Sequence, residues 1–268
     1  MEKLNIQIAS DLHLDIKPYN KLREYIIPSS KNLVLAGDIG NIYEFKQLKN
    51  ILFYVCSKFE NVIYVFGNQE FYTKKNKINN TNKEFDYFNK YKYLPKTFNQ
   101  LVKSVFYIKE KYKLDNLHIL DRSYVIIDRV MFLGAILWSD LKVELPEYFR
   151  IYDIDTNIYK EMHKRDVNYI KNIIKNFDNY KDKCDRICVV THYPPILQTE
   201  KNDNDNYYSM YNSDLSDIMN GNIISTWIFG HTHVNVDKYI NGTRVISNQK
   251  GSNKNFADDY KNDMTIDV

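Results

Sequence analysis

Several absences narrow the field. The chain has no run of about 18 apolar residues, so no segment is expected to span a bilayer. It enters a strand pattern within its first residues, without the zones of a secretory leader, and the expectation is a cytoplasmic protein. Cysteine is scarce. Cys56, Cys184 and Cys188 cannot all pair, two of them sit in apolar runs, and they read as reduced structural residues of a cytosol-like compartment. The 37 basic and 34 acidic side chains leave a net charge of +3, too little for the electrostatic footprint of a nucleic-acid binder. No internal repeat and no Gly/Ser/Pro-rich linker divides the 268 residues, so one domain is expected over 1–268. Chains of this size bury roughly three-quarters of their surface.

Histidine is sparse too, and its placement is informative. Of six histidines, four (His13, His192, His231 and His233) fall in short loops that each follow an apolar run. Five such loops read Asp11-Leu12-His13, Gly37-Asp38, Gly67-Asn68-Gln69-Glu70, Thr191-His192-Tyr193-Pro194 and Gly230-His231-Thr232-His233. The runs before them include Ile6-Gln7-Ile8-Ala9, Leu33-Val34-Leu35-Ala36 and Ile187-Cys188-Val189-Val190. Short apolar runs between helical stretches predict a mostly parallel sheet buried on both faces. Ligands of such sheets collect at the carboxyl ends of the strands, where five loops can converge.

The spacing then becomes chemistry. In extended chain, residues i and i+2 point the same way about 6.5–7 Å apart, so Asp11 and His13 can face one pocket, as can His231 and His233. Carboxylate, imidazole and amide donors suit Mn, Fe or Zn, and the lack of a thiolate in the motifs argues against a soft site. Seven donors exceed the needs of one ion and fit two. Two ions roughly 3.5–4 Å apart need a bridging carboxylate and suit in-line displacement at phosphorus. Asp38, on its glycine-flanked turn, is the expected bridge. Singly, Asp-x-His and Gly-Asp are ordinary turn sequences; all five together, each behind an apolar run, are not.

This set resembles the calcineurin-like metallophosphoesterase superfamily. Phe132-Leu133-Gly134-Ala135-Ile136-Leu137-Trp138-Ser139-Asp140 and the segment from Gly242 to Gly251 also resemble its small single-domain predicted phosphoesterases. The resemblance implies a four-layer α/β/β/α sandwich; the residue pattern by itself supports only α/β with helices flanking a sheet. It further implies a dinuclear centre. Asp11, His13, Asp38 and His233 would hold one ion, and Asp38, Asn68, His192 and His231 the other. A metal-bound hydroxide would attack phosphorus. The family's usual catalytic histidine is replaced here by Gln69, which can donate an N–H hydrogen bond but cannot transfer a proton at neutral pH. Gln249-Lys250 stands where many relatives read Pro-Arg.

The leading reading is therefore a dinuclear-metal phosphoester hydrolase, phosphatase or phosphodiesterase, acting on a phosphorylated small molecule or other phosphoester, and weakened by Gln69. One alternative is a non-hydrolysing member that binds a phosphorylated ligand or partner. A second is a nuclease, because residues 72–96 interleave Lys74, Lys75, Lys77, Lys83, Lys90 and Lys92 with tyrosine and phenylalanine. A solvated surface insertion is the favoured reading of that segment. Asn68 is also expected to contact the phosphate, and two further catalytic candidates are Arg150, suited to bidentate phosphate recognition, and His163, on the stripe that Val167, Ile170 and Ile174 mark along a helix over 156–177.

Elsewhere, helical spacing predicts helices over 19–27, 42–59, 97–111 and 214–220. Strands are predicted over 117–120, 123–128 and 130–137, with a tight turn at Asp128-Arg129. Asn241-Gly242 signals a hairpin. Residues 198–213 read as a polar loop, and the last dozen residues, near 255–268, as an irregular polar tail.

Overall fold

The computed structural model describes residues 3–15, 21–73, 97–146, 149–197, 209–252 and 256–268. The Lys/Tyr-rich segment beyond residue 73 and most of the loop over 198–213 lie outside them.

The apolar runs form strands, divided between two sheets. The first sheet has the order β11-β1-β2-β3-β4: β1 (Asn5–Ala9), β2 (Asn32–Ala36), β3 (Asn61–Val65) and β4 (Leu117–Leu120) are parallel, and β11 (Thr265–Asp267) runs antiparallel to β1. The second has the order β5-β6-β7-β8-β10-β9. There β6 (Val130–Ala135), β7 (Arg186–Thr191), β8 (Ile224–Phe229) and β10 (Thr243–Ser247) are parallel, with β5 (Ser123–Ile127) and β9 (Asp237–Ile240) antiparallel at the edges.

The period of two along each strand explains the layering. Ile6, Ile8, Val34, Ala36, Ile63 and Val65 of the first sheet meet Val130, Phe132, Cys188, Val190, Ile228 and Ile246 of the second in one buried cluster. The alternate residues, among them Leu33, Leu35, Val62, Tyr64, Ile187, Val189, Trp227 and Phe229, belong to the other cluster with the helices. The helix α2 (Phe45–Cys56) lies against β3, and α4 (Thr156–Lys175) against β6. The helix α3 (Phe98–Lys111) opens on a capping box, with Thr97 and Gln100 each bonded to the other's backbone, and buries Leu101, Val105 and Ile108. The fold is thus α/β with two face-to-face sheets flanked by helices, as expected.

The same strands bring one correction: the five ligand loops do not leave one sheet. Those after β1, β2 and β3 leave the first, and those after β7 and β8 the second. The carboxyl ends are stitched together where Ser10 N donates to Asn248 O (3.0 Å) and Lys250 N to Ser10 O (3.1 Å).

Other expectations need revising. The tail is not irregular throughout, because Ile266 is buried and its strand pairs with β1. The helix over 214–220 reduces to a 3-10 turn, Ser216–Ile218. Over 19–27 the described helix is α1, Leu22–Tyr25. The face that α4 buries is Tyr159, Met162, Asp166, Ile170 and Ile173, whereas Val167 and Ile174 are only partly buried. Both hairpins form where predicted, and their turn residues Asp128, Arg129, Asn241 and Gly242 all have positive φ, as two-residue turns of right-twisted strands require.

Candidate metal centre

Five of the seven proposed ligands leave ordinary backbone space. Asp11, His13, Asp38, His231 and His233 have φ of 54°, 47°, 55°, 80° and 58°. Non-glycine residues are uncommon there, and such strain gathers at functional sites that the surrounding structure holds in place. The hold is visible. His13 N donates to Asp38 O and Asp11 N to Gly37 O, both at 3.0 Å, tying the first two loops together. His231 N donates to both oxygens of Asp11, and His233 N to Gln249 Oε1 (2.7 Å).

The side chains form two adjacent groups, Asp11–His13–His233 and Asp38–His192–His231, each with ligand atoms within 4.8 Å of one another. In the first, His13 Nε2 and His233 Nε2 face each other at 3.0 Å, and His233 Nε2 is 3.5 Å from Asp11 Oδ1. In the second, Asn68 Oδ1 lies 3.0 Å from His192 Nε2 and 3.1 Å from His231 Nδ1. Asp38 reaches both: Oδ1 is 3.4 Å from His192 Nε2, and Oδ2 is 4.0 Å from His13 Nε2. One carboxylate thus offers one oxygen to each group, the disposition a bridging ligand needs.

The electrostatics suit cations. Burial works to raise the carboxyl of Asp11, but the His233 hydrogen bond and the field of His192 hold it below its ordinary value. Burial likewise opposes ionisation of Asp38, and His192, His13 and His231 more than compensate. Both carboxylates are therefore ready anionic donors. Burial, then the charge of His192, pushes the His231 imidazole down to about 3, leaving it neutral, as a ligand must be. Its Nε2 is buried without a hydrogen-bond partner among the described residues. Burial opposes protonation of His192 as well, but Asp38 raises it to about 9, so a cation would have to displace that proton. The donor set is imidazole, carboxylate and amide, and it fits borderline divalent ions.

Glycine makes the convergence possible. A Cβ on Gly67 would lie 2.1 Å from Asp38 Oδ1 and 2.6 Å from Asp38 N. Gly67→Ala should therefore displace the Asp38 loop, weaken metal binding and lower stability by about 1–3 kcal/mol through overpacking. Calorimetric metal titration together with urea melts checks this; an unchanged affinity would contradict the packing seen here.

Glu70 is in the expected motif, but its role is structural. It is fully buried, and its oxygens accept from Asp38 N (3.0 Å), Gly67 N (3.0 Å), Ile39 N (2.8 Å) and Tyr64 Oη (2.8 Å). It knits the Asp38 loop to the Asn68 loop. Ser10 Oγ, which donates to Asp11 Oδ2 (2.6 Å), and Gln249 hold ligands in a similar way. Sequence reasoning assigned these residues no such role, since serine and glutamine carry no spacing signal for it.

The His163 ring lies 2.9 Å and 3.1 Å from the carbonyl oxygens of Leu137 and Trp138. Asp166, three residues on, accepts from Leu137 N (2.8 Å) and from Arg122 Nη1 (2.8 Å). Together they brace the strained Leu137-Trp138 turn, whose neighbour Ile136 accepts from His192 N and Tyr193 N through its carbonyl oxygen. Arg150 is partly buried, and its carbonyl oxygen accepts from Thr73 N (2.9 Å). Gln69 N donates to Asp38 Oδ1 (2.9 Å). A cleft of about 640 Å³ bordered by Lys3, Arg186 and Arg244 lies where the strands begin, at the end away from the ligand loops.

Fold and donor set together define a metallophosphoesterase, and comparison agrees. A family model described as calcineurin-like phosphoesterase matches residues 4–235, and the chain belongs to that family. The uncharacterised protein L509 of Acanthamoeba polyphaga mimivirus is 26% identical over 244 residues, covering 82% of this chain and 78% of that protein. The phosphopantetheinyl hydrolase of Mycobacterium tuberculosis superposes with a TM-score of 0.70 at 14% identity, over 99% of this chain and 96% of the other, a likeness of fold. Among the described residues no helix is long and apolar enough to cross a membrane.

Proposed function

We propose that the chain hydrolyses a phosphoester of a small molecule at a centre of two divalent ions, manganese, iron or zinc. The observation that carries this reading is Asp38, one oxygen facing each ligand group. Asp11, His13 and His233 would complete one ion's ligands, and Asn68, His192 and His231 the other's. When bound, such a pair supplies a clamp for the phosphoryl oxygens and an activated water. The chain's own groups do the rest. Glu70 fixes the two loops that carry Asp38 and Asn68, while Gln249 and Ser10 orient His233 and Asp11. The three free cysteines support a reducing, cytosol-like location.

The test is elemental analysis of the reconstituted protein, with a panel of aryl and alkyl phosphate mono- and diesters. Two ions per chain and turnover of one ester class are expected. Two ions without turnover on any ester would favour a binder of phosphorylated ligands, and tight binding of a single ion would overturn the two-ion centre. A salt-sensitive, tight complex with single-stranded nucleic acid would favour a nuclease.

Gln69 yields a further expectation. Its side chain makes no hydrogen bond among the described residues, so a histidine there would be free to act on substrate. General acid assistance contributes about 10²–10⁴-fold, mostly for poor leaving groups. Gln69→His should therefore raise kcat/KM on alkyl esters well above any gain on aryl esters, at unchanged metal content. Equal gains on both, or none, would refute a missing acid at this position.

A further inference from the structure

The helix α4 directs three polar side chains at one short turn of backbone. Tyr159, His163 and Asp166 stand at i, i+4 and i+7, on one face of the helix. Ser139 N donates to Tyr159 Oη (3.1 Å), and the hydroxyls of Ser139 and Tyr159 share a second bond (2.8 Å). Carbonyl oxygens only accept, so His163 Nδ1 carries a proton and donates to Leu137 O (2.9 Å) and Trp138 O (3.1 Å). Leu137 N donates to Asp166 Oδ2 (2.8 Å), and Arg122 Nη1 donates to the other oxygen (2.8 Å). The backbone they grip is strained. Leu137 and Trp138 have φ of 77° and 34°, a region that non-glycine residues avoid. The same turn reaches two proposed ligands. Ile136 O accepts from His192 N (3.2 Å) and Tyr193 N (3.1 Å). The Trp138 ring packs on Tyr193 (centroids 5.8 Å apart), and the Tyr193 ring faces His231 at 3.9 Å with its plane tilted by 31°.

Building on the two-ion reading, we propose that Tyr159, His163 and Asp166 are positioning residues that hold His192 and His231 in ligand geometry, so that α4 sets the affinity of one of the two ions. They act through the turn. Its backbone relaxes by leaving positive φ, and each lost contact lets it move that way. Ile136 O then shifts beneath His192, and Trp138 shifts against the Tyr193 ring that backs His231. Both displacements fall on the group of Asp38, His192 and His231. The Asp11–His13–His233 group is tied elsewhere, through Gly37 O, Asp38 O and the Gln249 side chain, and should keep its ion.

The experiment titrates manganese(II) calorimetrically into the full metal-free chain and into Asp166→Ala, Tyr159→Phe and Ile170→Ala. Groups that orient metal ligands from behind typically contribute 10–100-fold in affinity. Asp166→Ala should therefore weaken one ion by about 10–100-fold and the other by less than about threefold. Tyr159→Phe removes only a hydroxyl and keeps the ring against Trp138 (5.1 Å), so it should act on the same ion, more weakly. Ile170→Ala truncates an apolar side chain on the same buried face of α4. It should lower the urea midpoint while both affinities stay at the parent's values, which separates positioning from stability. Adding Asp166→Ala to His13→Ala identifies the ion, because the one His13→Ala retains should weaken by the same factor. Unchanged affinities in Asp166→Ala and Tyr159→Phe, equal weakening of both ions, or the same split in Ile170→Ala would overturn the role of α4 and leave the two-ion reading standing. A parent chain that binds fewer than two ions overturns both.

Discussion

Asp38→Ala is expected to empty both halves of the centre and to lower kcat/KM at least ~10³-fold, since a metal pair contributes several kcal/mol of charge stabilisation in the transition state. The argument rests on position. Asp38 faces His13 with one oxygen and His192 with the other, so its removal takes a donor from each group. His13→Ala removes a donor from one group only and should spare more of the bound metal. Elemental analysis of the two variants beside the parent distinguishes them. Equal losses of one ion each would show that Asp38 does not bridge.

Glu70→Ala is expected to be the most destabilising single change in the site, by about 4 kcal/mol or more. It would leave three backbone N–H groups and the Tyr64 hydroxyl buried without an acceptor. Each such group costs about 1–3 kcal/mol when orphaned, and water entering the cavity recovers part of the sum. The Asp38 and Asn68 loops lose their common anchor at the same time, so metal affinity should fall together with stability. Urea unfolding of the metal-free protein isolates the structural part. A change below about 1 kcal/mol would show that these donors find other partners.

The two variants act at different levels. Asp38 would be a donor to the ions, while Glu70 holds the Asp38 and Asn68 loops in place through their backbone N–H groups. Residues of the second kind were hard to read from sequence. Glu70 was visible within Gly67-Asn68-Gln69-Glu70, but nothing in that string says that its carboxylate turns back to meet Asp38 N and Ile39 N more than thirty positions earlier. The Asp166 carboxylate is a parallel case. Its burial against Leu137 N and Arg122 shifted the inward face of α4 away from the stripe drawn through Val167 and Ile174, because apolar spacing ignores a polar residue buried by its partners.

The sequence by itself determined the parts whose physics is local. An apolar run ending at a short loop with paired donors is a strand delivering ligands to its carboxyl end, so Asp11, His13, Asp38, Asn68, His192, His231 and His233 could be named and fell together. The hairpins at Asp128-Arg129 and Asn241-Gly242 were equally local, set by the φ their turns demand. Only the tertiary structure decided what depends on chain segments far apart. It divided the ligand loops between two sheets, because hydrophobic alternation says that a strand is buried but not which partner covers it. It placed Thr265–Asp267 beside β1, a pairing across nearly the whole chain in which a single buried residue, Ile266, supplies too little pattern to predict.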